Sequence, residues 1–260
     1  MIDTHAHLMF PEFKDDIVNV LKRAKDAGIS KIINVGCDLK SCKSSVEMGA
    51  KYPELFGTLG MHPYEAQFVN DSLMNEWRKL ILENKKIVAI GECGLDYFKA
   101  KVEKEIQKKA FILQIKLAKE FDLPIIVHNR DADIDCLEIL DEEFADLKKV
   151  PVVFHCYGSD LEFARRLWDR GIYTSFTGII TYPNARELRE VAREVPMDLF
   201  MVETDCPYLA PQSYRGKRNE SSYVLEVVRE IARVKGISFK EVEKISTLNA
   251  EKFFELNQRG

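Results

Sequence analysis

Short apolar runs recur along the chain at residues 2–8, 32–35, 55–59, 87–90, 124–127, 151–154, 172–176 and 199–202. Several are β-branched, unbroken and too short for helices, the pattern of strands buried on both faces. Between them the spacing changes from runs to stripes. Phe13, Ile17, Val20, Leu21 and Ala24 follow a 3.6-residue repeat with Gly28 as a stop, and Ile106, Ala110, Leu113, Leu117 and Phe121 make a second stripe. Ser159-Asp-Leu-Glu162 and Ser238-Phe-Lys-Glu241 have the form of capping boxes that open helices. Eight strand–helix alternations over about 250 residues predict a (β/α)8 TIM barrel, a single domain over residues 1–260. A doubly wound open sheet is the runner-up, but the glycine fingerprint it would need after the first strand is missing.

Polar residues cluster where the runs stop. His5 and His7 lie on the first, Glu92 follows the fourth, His128 the fifth, His155 the sixth and Asp205 the eighth, and His62 follows the third in Gly60-Met-His-Pro63. All five histidines therefore fall at the carboxyl ends of predicted strands, which in a parallel barrel is one mouth. Residues i and i+2 of a strand point the same way, so His5 and His7 can address one ion. Imidazole and carboxylate ligands suit zinc or manganese, and the oxygens magnesium. The set His5, His7, Glu92, His128, His155 and Asp205 exceeds the needs of one four-coordinate ion, so two divalent ions are expected, with Glu92 able to offer an oxygen to each. Such a pair, about 3.5–4 Å apart, favours hydrolysis by activating water and by holding the attacked and leaving oxygens. Asp205 is the candidate to manage the proton of that water, beside Glu92. Cys93, Cys156 and Cys206 each follow a candidate ligand directly and should face the other way along an extended chain. Glu203 is either a partner of the ligands or a solvated loop residue.

Composition narrows the setting. The 260 residues are 46% hydrophobic and 31% charged, ordinary for a globular chain, with no apolar run of membrane-spanning length and no leader-like start. Six scattered cysteines with no C-x-x-C pair point to a reducing cytoplasm. The net charge of −4 excludes gripping a polyanion by bulk charge. A nucleic-acid substrate must then be held by bound cations and a local patch. Arg215, Lys217 and Arg218 after the eighth strand, and Arg130 after the fifth, are the candidates, with His62 at the same rim. Tyr97, Tyr157 and Tyr208 either stack on bases or pack under loops.

The segments Ile2-Asp-Thr-His-Ala-His-Leu8, Gly60-Met-His-Pro63, Ala89-Ile-Gly-Glu-Cys-Gly-Leu-Asp-Tyr97, Leu123-Pro-Ile-Ile-Val-His-Asn-Arg-Asp-Ala132, His155-Cys156, Glu203-Thr-Asp-Cys-Pro-Tyr-Leu-Ala-Pro211 and Arg215-Gly-Lys-Arg-Asn-Glu220 stand in an order that resembles the TatD family of metal-dependent DNases. The resemblance spans nearly the whole chain. It implies a distorted TIM barrel in which one ion takes His5, His7, Glu92 and Asp205 and the other takes Glu92, His128 and His155. It also implies a phosphodiesterase that degrades DNA, often from the 3′ end, usually with magnesium. DNA, single-stranded or at 3′ ends, is the expected partner, with no membrane and no obligate protein partner. Two departures stand out. His155-Cys-Tyr-Gly-Ser159 replaces the usual Cys-Phe-Ser-Gly order, and Cys93 replaces an aliphatic residue. Two other functions share these residues. One is hydrolysis of acyl esters or amides, aminoacyl-tRNA included, although related barrels often bridge their metals with a modified lysine where this chain has Glu92. The other is a metal-bound binding module without turnover.

Overall fold

Eight strands alternate with helices in chain order: β1 (Ile2–Ala6), α1 (Ile17–Asp26), β2 (Lys31–Asn34), α2 (Leu39–Lys51), β3 (Leu55–Leu59), α3 (Asp71–Glu83), β4 (Ile87–Asp96), α4 (Lys104–Glu120), β5 (Ile125–Arg130), α5 (Asp133–Glu143), β6 (Val152–Phe154), α6 (Leu161–Trp168), β7 (Tyr173–Phe176), α7 (Arg186–Glu194), β8 (Phe200–Val202), then α8 (Val224–Lys235) and α9 (Phe239–Phe253). This computed structural model describes residues 1–144 and 150–258. The strands form one sheet in the order β1 to β8, and every pairing described between neighbours is parallel. Ala6 after β1 also bridges Cys206 after β8 in parallel. These are the connections of a (β/α)8 TIM barrel, as the alternation predicts. Contacts group the chain into two compact units, Met1–Asn34 with Cys156–Lys252, and Val35–His155 with the residues from Phe253 on.

Every residue of β1, β3 and β4 is buried, including the polar Asp3, Thr4 and His5 of β1 and Glu92 and Asp96 of β4. Strand four differs from its predicted extent. The sequence pattern stops it near Gly91, whereas β4 runs on to Asp96, so Glu92 sits in mid-strand. Glycine reads as a strand end, but here it admits a neighbour. A Cβ on Gly94 would lie 2.1 Å from the His128 carbonyl oxygen, and one on Gly60 would lie 2.1 Å from the Gly91 carbonyl carbon. Only hydrogen side chains let β5 and the end of β3 approach the backbone around Glu92 so closely.

Two helix starts shift as well. Phe13 belongs to a single 3-10 turn (Pro11–Phe13), and α1 opens only at Ile17. The cap of α6 is Asp160, not Ser159; its carboxylate accepts the Phe163 N–H at 2.8 Å. Ser238 does cap α9, accepting the Glu241 N–H at 3.1 Å. On α4 the buried face is Gln107, Ala110, Phe111, Gln114, Ile115, Leu117 and Ala118, whereas Ile106 is exposed. The predicted stripe is thus rotated, because two amides take core positions. Gln114 accepts the Met61 N–H and donates to the Met61 carbonyl, and Gln107 does the same at Asp96. Two turns of one helix thereby pin the loop after β3 and the end of β4.

Candidate metal centre

Glu92 gathers three imidazoles. Its Oε1 lies 2.8 Å from His128 Nδ1, 2.8 Å from His155 Nε2 and 3.5 Å from His62 Nε2. His62 packs edge-on against His128 with ring centroids 4.2 Å apart. Three neighbouring strands supply these groups: β4 bears Glu92 in mid-strand, β5 bears His128, and His155 follows β6 directly. Burial pushes the Glu92 carboxyl up, but His155, His62 and His128 together outweigh it and hold the group well below the usual carboxylate range. Glu92 is therefore an anion in a nearly closed site, which needs cationic surroundings.

Asp96, fully buried at the end of β4, steadies this cluster. Its Oδ2 lies 3.2 Å from His128 Nε2 and accepts the Tyr64 hydroxyl at 3.2 Å, while Oδ1 accepts the N–H groups of Phe98 and Lys99. A carboxylate on one ring nitrogen of a histidine fixes the ring and leaves the other nitrogen for a ligand's task. Burial opposes ionisation of Asp96, yet the His128 and backbone bonds hold it below the ordinary range. At His128 burial opposes the charge, but the bonds to Asp96 and Glu92 prevail and raise its pKa. The sequence reading missed Asp96, although a lone acid closing a buried apolar run carries the same signal that singled out Glu92.

His62 plays a different part. Its Nδ1 accepts the Tyr64 N–H at 3.2 Å. Burial is the main reason its pKa falls to about 3, so the ring is neutral and the proton must sit on Nε2. His62 thus faces Glu92 as a hydrogen-bond donor, which suits a substrate contact better than a metal ligand.

Around β1 and β8 a second group forms. His5 Nε2 and His7 Nε2 lie 3.2 Å apart, and Asp205 Oδ1 lies 3.3 Å from His7 and 3.8 Å from His5. The Asp205 N–H donates to the His5 carbonyl and the His7 N–H to the Cys206 carbonyl, each at 2.8 Å, so the backbone sets this spacing. Phe10 stacks flat on His7 with centroids 4.9 Å apart. Glu203 settles as a buried anchor. It accepts the Cys156 N–H and the Ser175 hydroxyl at 2.7 Å each, which fixes the peptide directly after His155.

The remaining candidates spread out. Arg218 is committed to Asp16, with two contacts of 2.8 Å, and lies over the Phe13 ring. Arg215 and Lys217 are exposed, Arg215 4.3 Å over the Tyr182 ring. Arg130 is exposed beside Phe98. Tyr157 is buried on the Asp160 carbonyl and Tyr97 bonds Asp135, while Tyr208 stays exposed. Cys93 and Cys206 are buried, and burial raises both thiols.

The donor chemistry fits divalent cations. Two imidazole Nε2 atoms facing each other at 3.2 Å beside a carboxylate present lone pairs to a common point, and Glu92 with His128 and His155 does likewise. A barrel with histidines and acids at its carboxyl-terminal rim defines the class of metal-dependent hydrolases. The sequence pattern described as "TatD related DNase" matches residues 2–255, and the chain belongs to that family. The metal-dependent hydrolase YabD of Bacillus subtilis is 42% identical over 257 residues, which cover 99% of this chain and 100% of that protein. YcfH of Escherichia coli K12, named a metal-dependent hydrolase too, is 35% identical over 99% of this chain and 96% of its own length. The crystal structure of YJJV, a TatD homologue from Escherichia coli K12, superposes with a TM-score of 0.91 at 29% identity, covering 98% of each chain.

Proposed function

We propose that the chain is a phosphodiesterase that cleaves DNA, most readily single strands or 3′ ends, with one divalent ion at the His5–His7–Asp205 group and one at the Glu92–His128–His155 group. The observation that carries this reading is the ionised, buried Glu92 ringed by imidazoles in a chain of the TatD-related DNase family. Magnesium, manganese or zinc, when bound, would lower the pKa of water and screen charge on a phosphoryl oxygen. The chain's own residues supply the rest. His5, His7 and Asp205 would hold one ion, and Glu92, His128 and His155 the other. Asp205, whose side chain is 14% exposed, stays open enough to accept the proton of the attacking water. His62 donates from Nε2 to a phosphate oxygen. Arg130, Arg215 and Lys217 supply exposed positive charge for the strand, which the acidic net charge does not.

The test pairs elemental analysis of the purified protein with cleavage of labelled single-stranded DNA under defined ions, beside panels of acyl esters and amides. Two bound divalent ions and DNA cleavage are expected. Asp205→Ala should slow turnover about 10²–10⁴-fold, the usual worth of a positioned proton acceptor, and Glu92→Gln should also lose metal. Hydrolysis confined to esters or amides would replace this reading with acyl chemistry.

A further inference from the structure

Three planar side chains stand exposed above Asp96. Phe98 lies in the turn directly after β4, and 60% of its surface is exposed. Asp96 Oδ1 fixes that turn by accepting the N–H groups of Phe98 at 2.9 Å and Lys99 at 2.6 Å. Arg130 closes β5 opposite Asp96, and its carbonyl accepts the Tyr97 N–H at 2.9 Å. Its guanidinium carbon lies 4.2 Å over the Phe98 ring. Tyr64, 41% exposed, bonds Asp96 through its hydroxyl and sets its ring edge-on to His62 at 4.2 Å. Asp96 also holds His128, so one buried carboxylate ties this aromatic shelf to the ligands of Glu92.

We propose that Phe98, Arg130 and Tyr64 form a stacking subsite for a nucleobase next to the scissile phosphate. The inference rests on the phosphodiesterase reading above and names what part of the strand this edge of the site grips. An exposed phenylalanine on a turn held by a buried carboxylate and packed against a guanidinium offers a flat surface with a positive charge beside it. A nucleobase matches it in shape, and its attached phosphate matches the charge of Arg130. Stacking on such a shelf tolerates every base, because each has a π-face. Binding through Phe98 therefore predicts a preference for strands that carry bases, with little preference among them.

The experiment compares two single-stranded oligodeoxynucleotides labelled at the 5′ end, one intact and one abasic at its last two 3′ positions, with the metal-loaded enzyme. Wild type should favour the intact strand about ten-fold in kcat/KM, within the usual range for one stacked base. In Phe98→Ala that ratio should fall towards one, and Phe98→Trp should restore it. Thermal unfolding of each variant guards against a folding defect, which an exposed position should not cause. Wild type cleaving both strands equally, or Phe98→Ala keeping the ten-fold ratio, overturns the subsite while leaving the phosphodiesterase reading intact. Wild type cleaving neither strand overturns both.

Discussion

Asp96 joins a ligand, a tyrosine and a turn through one buried carboxylate, and its removal should be felt first by the metal. Replacing it with alanine frees the His128 ring to rotate and withdraws the charge that polarises it. Partners of this kind commonly contribute 10- to 100-fold in metal affinity. Asp96→Ala should therefore bind divalent metal about 10- to 100-fold more weakly in a titration with competing chelator, with Asp96→Asn losing less because its amide oxygen still accepts from His128. At this scale the candidate ligands were legible, since five histidines without a stray make coincidence a poor account. The division of labour among them was not. That His62 carries its proton on Nε2 follows from the Tyr64 N–H, a backbone contact that the order of residue types does not announce.

Elements were legible where a single period ran undisturbed and were misread where a special residue interrupted it. The fourth strand is expected to stop near Gly91 but runs on to Asp96, because glycine here admits the neighbouring strand. The predicted apolar stripe of α4 leaves out Gln107 and Gln114, which are buried and spend their amides on Asp96 and Met61. The basic loop after β8 shows a similar reversal. Arg218 turns to Asp16, and Arg23 of α1 grips Glu220 through contacts of 2.7 and 2.8 Å, so the loop is clasped to the first helix. Burial raises the Glu220 carboxyl, but the bonds from Arg23 and Ser222 prevail and lower it. A carboxylate depressed in the fold adds stability above its unfolded pKa and loses it as acid protonates the folded group. Arg23→Ala should cost about 1–2 kcal/mol at pH 7, as expected for a carboxylate left short of a partner. That deficit should shrink as the pH falls below about 4.5, as chemical denaturation across pH would show.

For the molecule as a whole, metal and fold should be linked. Ions that bind only the folded chain stabilise it by about 2.7 kcal/mol at a hundred times Kd, which for a chain of this size raises Tm by roughly 5–10 °C. Differential scanning fluorimetry of stripped protein with and without added divalent ions should show that rise, and Glu92→Gln should lose it. No shift with any ion would count against metal ligation. The lacing of His5 and His7 to Asp205 and Cys206 has a consequence in time. The partners of this trio are separated by nearly two hundred residues, so a ribosome has to finish the eighth strand before they can meet. Until then a growing chain carries His5 and His7 without Asp205. Cation capture by this group is thus an event of late synthesis, and nascent chains halted before Asp205 should leave it without metal.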